Sequence, residues 1–160
     1  MRQPGGHHRA LEISHGSLLF FKKKDALQWV NALNCLSVGN QNWAMDTSLL
    51  ICFCANKKFK HNDHENKWSQ YDTGAASENI CLQSTYLGLA AHQMGGFDSG
   101  KIRNLANIPV EFDVMSFIAV GKPLAKKLMT VEQAEAEGSA RKRLKLNEIY
   151  FENKWDNFEG

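Results

Sequence analysis

The longest helical pattern of apolar positions in the chain lies within residues 68–98. Asp72 is the expected N-cap, because its carboxylate would accept hydrogen bonds from unpaired amides at the positive helix end. Two faces predict a helix that is covered on most sides, either at the centre of the fold or at a dimer seam. One face repeats through Ala76, Ile80, Gln83 and Leu87, and the other through Asn79, Leu82, Tyr86 and Leu89.

Shorter apolar patterns predict strands and a helix before this segment. Residues 49–54 form a continuous apolar run, which is typical of a central strand buried on both faces of a parallel or mixed sheet. Residues 18–21 predict a short strand. Asp25 is the expected N-cap of a helix that runs towards residue 36. The apolar stripe of this helix consists of Ala26, Leu27, Val30, Leu33, Cys35 and Leu36.

Further elements are predicted after residue 98. Ile102 and Leu105 share one face of a short helix, which Pro109 would end because the residue before a proline avoids the helical conformation. Residues 112–120 are rich in β-favouring residues and predict a strand. Residues 126–138 are helical in composition but weakly apolar, so we expect them on the surface or extending towards a partner subunit.

The polar segments admit more than one interpretation. Residues 39–43, GNQNW, are expected to close the first helix as a polar loop, whose carboxamides can donate and accept hydrogen bonds. Residues 61–65 include metal-capable side chains, but the surrounding composition is that of a loop, so no metal site is predicted. Residues 141–145, RKRLK, are compatible with a phosphate grip, a nucleic-acid patch or a solvated linker.

Composition limits the possible classes of protein. The 160 residues, of which 43% are hydrophobic, fit one folded domain, and a net charge of +2 does not call for nucleic acid or a membrane as a partner. The longest apolar run, residues 49–55, is far shorter than the roughly 20 residues of a membrane-spanning helix. The absence of a signal-peptide pattern favours a cytoplasmic location. The cysteines lack the paired spacing of a zinc site and are expected to be free thiols.

A glycine pair follows the long helical pattern. Gly95 and Gly96 precede Asp98, which is an expected N-cap, and their lack of a Cβ leaves room for a flat ligand. The backbone amides of this turn can then face outward. A Gly-Gly turn by itself is weak evidence for a binding site, because most such pairs only permit a positive φ angle.

An ordered set of motifs over about residues 25–155 resembles the FMN-dependent nitroreductase family. No single motif is diagnostic, but their order and spacing both match. The motifs are Gly39-Asn40-x-x-Trp43, Asp72-x-Gly74-Ala75-Ala76-x-x-Asn79-Ile80-x-Leu82, Leu87-Gly88-Leu89, Gly95-Gly96-Phe97-Asp98, Ile108-Pro109, Ile118-Ala119-Val120-Gly121-Lys122-Pro123, Arg141-x-Arg143 and Glu148-Ile149-x-Phe151.

The resemblance implies an α+β fold, in which a mixed sheet is flanked by helices around a long central helix. It also implies an FMN-dependent oxidoreductase that moves hydride from NAD(P)H to a nitroaromatic, quinone or similar electron-poor acceptor, as a homodimer joined by a C-terminal arm. No protein nucleophile is required, because the flavin does the chemistry. The implied roles are the Gly95 amide donating to flavin N5, and two arginines holding the phosphate. The implied cofactor-binding residues are Asn40, Gln93, Met94, Gly95, Gly96, Arg141 and Arg143.

The N-terminal part of the chain departs from the family pattern. Residues 1–21 lack clear periodicity, and the usual Arg-x-Ser-x-Arg and Ser-x-Asn-x-Gln-Pro-Trp segments are missing. We therefore expect residues 1–20 to be poorly ordered or non-native, and residues 21–160 to form a partial nitroreductase-like domain with a C-terminal dimer arm. The alternative function is that of a non-catalytic remnant of the fold, truncated or frameshifted near its N-terminus, or an interaction module.

Overall fold

Four strands form the sheet at the centre of this computed structural model, which describes residues 16–140 and 142–155. They are Gly16–Lys22 (β1), Leu49–Asn56 (β2), Ala90–Met94 (β3) and Phe112–Gly121 (β4), and their order in the sheet is β1-β2-β4-β3. The strands predicted at residues 18–21, 49–54 and 112–120 are confirmed as β1, β2 and β4. β2 has a neighbour on each side, as its unbroken apolar run predicted.

Helices cover both faces of this sheet. Ala26–Leu33 (α1), Val38–Ala44 (α2) and Ser99–Ala106 (α4) contribute to the core on one face. Ser69–Tyr86 (α3) contributes Ile80 to the core on the other face. The predicted α+β class, with a sheet between helices, is confirmed. Each strand pairing in the described residues is antiparallel, so the parallel partner that a mixed sheet needs is not among these strands.

The alternating side chains of β2 explain why its sequence is apolar at nearly every position. Leu50 and Cys52 belong to the core on the side of α1, whereas Ile51 and Phe53 belong to the core on the side of α3. Successive side chains of a strand point to opposite faces, so covering both faces requires apolar residues at odd and even positions alike.

The long helical pattern is interrupted by a strand that periodicity did not predict. α3 begins at Ser69, so Asp72 lies in its first turn and is not its N-cap. Gly88 has a φ angle of +72° and follows the helix end, where the amide of Leu89 donates to the carbonyl of Ser84 at 2.9 Å. The chain reverses there, and Ala90–Met94 pairs with β4. Segment 68–98 is therefore a helix, a left-handed glycine turn and an edge strand.

α3 turns a polar face to the sheet and an apolar face to the surface of this chain. Thr73 and Ser77 are 1% and 2% exposed, whereas Leu82 and Tyr86 are 59% and 85% exposed. The prediction of a helix covered on most sides is therefore wrong within this chain. Small hydroxyl side chains allow close approach to the sheet, and Thr73 satisfies its hydroxyl on the Ser69 carbonyl at 2.6 Å.

Two further predictions are corrected at the first helices. The inward face of α1 carries Trp29 and Ala32, while Leu27, which was assigned to the apolar stripe, is 71% exposed. Residues 39–43 do not form a loop, because they lie within α2. Glycine and asparagine have low helix propensity, so local preference did not predict this helix.

The chain divides into two compact units, Met1–Pro123 and Leu124–Gly160. The second unit contains the helix Val131–Gly138 (α5), whose N-terminus has a capping box formed by Thr130 and Gln133. α5 therefore lies within the predicted helical segment 126–138. Most of the segment predicted to be poorly ordered, residues 1–15, lies outside the described residues, and β1 begins at Gly16.

Candidate functional site

The glycine turn after β3 is fastened to the junction between α1 and α2. The amide of Asp98 donates to the carbonyl of Cys35 at 2.7 Å. The carbonyl of Gly96 accepts two hydrogen bonds, one from the amide of Ser37 and one from Nδ2 of Asn40, both at 2.9 Å. The structure thus brings Asn40 and Gly96, which are 56 positions apart in sequence, into direct contact.

The two glycines have different surroundings. A Cβ at Gly96 would stand 2.9 Å from both Nδ2 of Asn40 and Oγ of Ser37, so only glycine fits this docking without displacing a neighbour. A Cβ at Gly95 would have no atom within 4 Å. Gly95 is exposed, and its amide has no acceptor among the described residues. The turn therefore presents the N–H donor of Gly95 on open backbone, and the hydrogen bonds to Gly96 hold it in place.

Gln93 lies on the α3 side of the sheet and is already engaged there. Its Oε1 accepts a hydrogen bond from Oγ of Ser77 at 2.8 Å, and its Nε2 donates to Glu78 at 3.0 Å. Because adjacent strand residues point to opposite faces, Gln93 and Met94 face different layers. Gln93 thus ties the strand that leads to Gly95 onto α3.

Met94 and His92 lie on the opposite face of β3. The side chain of Met94 is only 3% exposed and belongs to the apolar core, so packing at the edge of a ligand is open only to its backbone. His92 is exposed, and its ring meets the Trp43 ring edge-on with centroids 4.9 Å apart. Asn40 and Trp43 are three residues apart in α2, so this one helix contacts both the glycine turn and β3.

Asp98 begins the helix that follows the turn, as the sequence predicted. Its Oδ1 accepts a hydrogen bond from the amide of Lys101 at 2.9 Å. Arg103, in the last turn of α4, donates to the carbonyls of Ile108, Pro109 and Phe112 at 3.1, 2.7 and 2.7 Å. These bonds hold the segment between the site and β4.

The thiols near this site are free and mostly buried, as predicted. Cys35, Cys52 and Cys54 are buried, and Cys81 is half-buried. Burial raises the pKa of Cys35, and the neighbouring Asp98 carboxylate adds to the effect. A hydrogen bond with Cys54, and then burial, raise the pKa of Cys52. The raised pKa values leave the Cys35 and Cys52 thiols uncharged near neutral pH and unsuited to act as nucleophiles.

Two of the predicted site residues are not part of the unit that contains the turn. Arg141 lies outside the described residues, and Arg143 belongs to the second unit, where its Nη1 donates to the carbonyl of Lys142 at 3.2 Å. Ser37, which supports Gly96, was not predicted. Its position just before α2 was a usable signal, since serine is a preferred residue at helix starts.

The surroundings of Gly95 fit the edge of a planar ring with a hydrogen-bond acceptor. The open backbone gives room for a flat group, and the free amide supplies a directed donor. Within residues 16–140 and 142–155, no three or more histidine, cysteine, aspartate or glutamate side chains are placed so that they could hold a metal ion together. No helix in these ranges has the length and apolar character needed to cross a membrane.

Sequence comparison connects the chain to one protein family. Residues 6–122 match the profile described as the nitroreductase family. An uncharacterized 15.4 kDa protein of Mycolicibacterium smegmatis is 30% identical over 124 residues, which cover 76% of this chain and 80% of that protein. The match begins upstream of residue 25, where the motif resemblance starts.

Solved structures with the same fold include flavoproteins. An oxidoreductase described as containing FMN superposes with a TM-score of 0.78 and 27% identity, over 90% of this chain and 73% of its own. A nitroreductase family protein from Clostridium difficile 630 superposes with a TM-score of 0.61 and 19% identity, over 89% of this chain and 76% of its own. The second likeness concerns the fold alone.

Proposed function

Since the chain belongs to the nitroreductase family, we propose that it is an FMN-dependent oxidoreductase that accepts hydride from NAD(P)H and passes reducing equivalents to an electron-poor acceptor such as a nitroaromatic or a quinone. The observation that carries this proposal is the amide of Gly95. It is exposed on backbone with nothing within 4 Å of a Cβ position, and two hydrogen bonds to Gly96 hold it in place.

FMN, when bound, would supply the hydride chemistry, and the protein would supply position and electrostatics. The Gly95 amide would donate to N5 of the ring. A donor that is fixed before reduction stabilises the negative charge that reduction creates, at little reorganisation cost. Asn40 would act mainly by holding the Gly96 carbonyl. Gln93 would act by holding β3 against α3.

Arg141 and Arg143 are proposed to hold the FMN phosphate. The planar guanidinium group matches the geometry of a phosphate and donates charge-assisted hydrogen bonds, each contributing about 1.5–3 kcal/mol. Replacing both arginines with glutamine should therefore release most of the flavin. Lys142→Gln, which removes one positive charge from the same segment, is the matched control and should retain it.

A homodimer is part of the same proposal, and α3 is its proposed centre. Tyr71, Leu82 and Tyr86 are spaced at 11 and 4 residues, so they share one helix face, and they are 76%, 59% and 85% exposed. A stripe of large apolar side chains on a surface marks an interaction site. Burying it against the same stripe of a second copy would give a self-complementary two-fold interface.

Purification and kinetics test the function directly. The purified chain is expected to be yellow, or to take up FMN stoichiometrically at micromolar concentration, and to oxidise NADH or NADPH only when menadione or a nitroaromatic compound is added. A colourless protein that FMN cannot reconstitute would reject the proposal and favour a non-catalytic member of the family. If the protein binds FMN but oxidises neither NADH nor NADPH, the proposed cofactor stands and the proposed hydride donor is rejected.

A further inference from the structure

A cleft at the N-terminal end of α3 has no part in the proposed function. Its volume is about 1140 Å³. Its walls come from the end of β2, the loop of residues 57–67, the first turn of α3 and the start of β4. All of these segments belong to the unit Met1–Pro123. The groups that line the cleft include a buried carboxamide, a helix terminus and several lysines.

The buried carboxamide is that of Asn66, which is only 2% exposed. Its Oδ1 accepts a hydrogen bond from the amide of Trp68 at 3.2 Å, and its own backbone amide donates to the carbonyl of Lys57 at 2.7 Å. Its Nδ2 has no hydrogen-bond partner in the part of the chain that the structure describes. Turning the carboxamide over would break the bond to Trp68, so a covered donor beside the cleft remains unmet among the described residues.

The start of α3 adds further donors. Trp68, at the N-cap, provides no side-chain cap. The amide of Ser69 bonds to the carbonyl of Asn66 at 3.2 Å, but the amide of Gln70, the next residue along the cleft wall, has no acceptor within the described residues. The first amides of an 18-residue helix also carry the positive end of its dipole.

The four lysines that line the cleft differ in their ion-pair partners. Lys57 and Lys58 pair with Asp113 and Asp63, at 3.7 and 3.5 Å. Among the described residues, neither Lys60 nor Lys67 forms an ion pair, and Nζ of Lys67 lies 5.1 Å from the centre of the Trp68 ring. Their charges therefore remain available to a ligand.

Acidic groups in the lining do not reverse this preference. Glu65 and Glu111 also line the cleft, so the sum of its charges does not choose the sign of a ligand. Nδ2 of Asn66 is a hydrogen-bond donor without a partner among the described residues, and the N-terminal end of α3 is positive. Both favour an acceptor with negative charge.

We propose that this cleft binds the oxyanion group, a phosphate or a carboxylate, of a small molecule distinct from the flavin. The oxyanion accepts hydrogen bonds from the start of α3 and from Nδ2 of Asn66, and Lys60 and Lys67 balance its charge. Because Nδ2 is covered, binding is accompanied by movement of the loop of residues 57–67. The inference rests on the cleft alone, so it stands or falls independently of flavin binding.

NMR titration of the full chain, as purified, tests this proposal. Inorganic phosphate and acetate are the two probes, each titrated into the ¹⁵N-labelled protein at pH 7 and at constant ionic strength. Saturable shifts of the Asn66 side-chain amide and of the Gln70 backbone amide are expected with at least one probe. The probe that binds more tightly identifies the oxyanion of the ligand as a phosphate or a carboxylate. No saturable shift with either probe would overturn the proposal.

Variants test whether Asn66, Lys60 and Lys67 bind the probe that causes the shifts. Replacing Lys60 and Lys67 together with glutamine should weaken binding by about tenfold, because two charge-assisted contacts are lost. Asn66→Asp keeps the acceptor for Trp68 while removing the donor. In this variant the saturable shift of the Gln70 backbone amide should disappear. Lys24→Gln changes a lysine outside the cleft and should leave the affinity unchanged. Equal affinity in the lysine double variant and the wild type would contradict the proposal, whether or not Asn66→Asp folds.

Discussion

At the residue scale, the two adjacent glycines perform different tasks. The sequence predicted a glycine-lined bend, but it could not assign the tasks, because they depend on which atoms stand opposite each Cα. Gly96 faces Ser37 and Asn40 at contact distance, while Gly95 faces open space. In the candidate site, Gly96 is thus held by hydrogen bonds to Ser37 and Asn40, and Gly95 is open to a ligand.

Gly96→Ala should therefore destabilise the chain, whereas Gly95→Ala should have little effect. A Cβ at residue 96 forces the Asn40 side chain away from the Gly96 carbonyl, so the free energy of unfolding should fall by about 1 kcal/mol, the contribution of a typical hydrogen bond. Gly95→Ala should leave the stability within about 0.5 kcal/mol of wild type, because its Cβ meets nothing. Urea unfolding measures both. Equal destabilisation would contradict the described docking.

The raised pKa of the buried Cys52 thiol predicts a loss of stability at alkaline pH from this one group. The pKa of Cys52 lies above its ordinary value of 9.0 in the folded state. The unfolded chain therefore loses this proton first, and stability falls as the pH rises above 9. Between pH 9 and 10 the expected loss is about 1 kcal/mol for this group. Chemical unfolding at each pH measures it, and Cys52→Ala should reduce the slope. An unchanged slope in the variant would assign the loss to other groups.

At the scale of elements, local propensity was a good guide to the strands and a poorer one to helix faces. β2 and β4 were predicted from their β-favouring apolar runs. Residues 39–43 were misassigned to a loop, although they lie within α2, because the hydrogen bond from Asn40 to Gly96 is a long-range contact. β3 was missed because its short sequence, AAHQM, alternates weakly and forms a strand only by pairing with β4.

Arg103 is expected to control the stability of the segment between α4 and β4. It donates to three backbone carbonyls, and lysine at the same position cannot reproduce this fork of donors. Arg103→Lys should lower the free energy of unfolding by about 2 kcal/mol. Lys101→Gln in the same helix removes only an exposed pair at 3.9 Å and should have little effect. Thermal and urea unfolding of both variants make the comparison, and similar small losses would contradict the role of Arg103.

At the scale of the whole molecule, α3 has large apolar side chains that a single copy of the chain leaves exposed. Thr73 and Ser77 face the sheet together with Ile80, whereas Tyr71, Leu82 and Tyr86 face outward. The helix therefore has almost no net amphipathic bias towards its own core. The proposed homodimer accounts for this inversion, because a second copy would cover the outward face.

Leu82→Glu should convert the proposed dimer to a monomer, since a carboxylate at the centre of an apolar interface would be desolvated without a partner. Leu27→Glu is the matched control, because Leu27 is 71% exposed on α1, compared with 59% for Leu82 on α3. Light scattering after size-exclusion chromatography measures the mass of each. A monomeric wild type, or dimers in both variants, would contradict an interface centred on α3.

The ordered motifs predicted the α+β fold through their resemblance to a known family. Sequence patterns alone predicted the central strand, because an unbroken apolar run depends only on neighbouring residues. The N-cap at Asp98 belongs to the same group, since it needs only a carboxylate three residues before an amide. Such features depend only on residues that are close together in the sequence.

Which groups face one another became known only from the folded chain. It placed Asn40 on Gly96, Gln93 on Ser77 and the side chain of Met94 in the core. It also turned the apolar side of α3 outward, which periodicity could not reveal, because a pattern of apolar positions defines a face without saying what lies against it. Contacts between residues far apart in sequence arise from packing, and packing is a property of the whole chain.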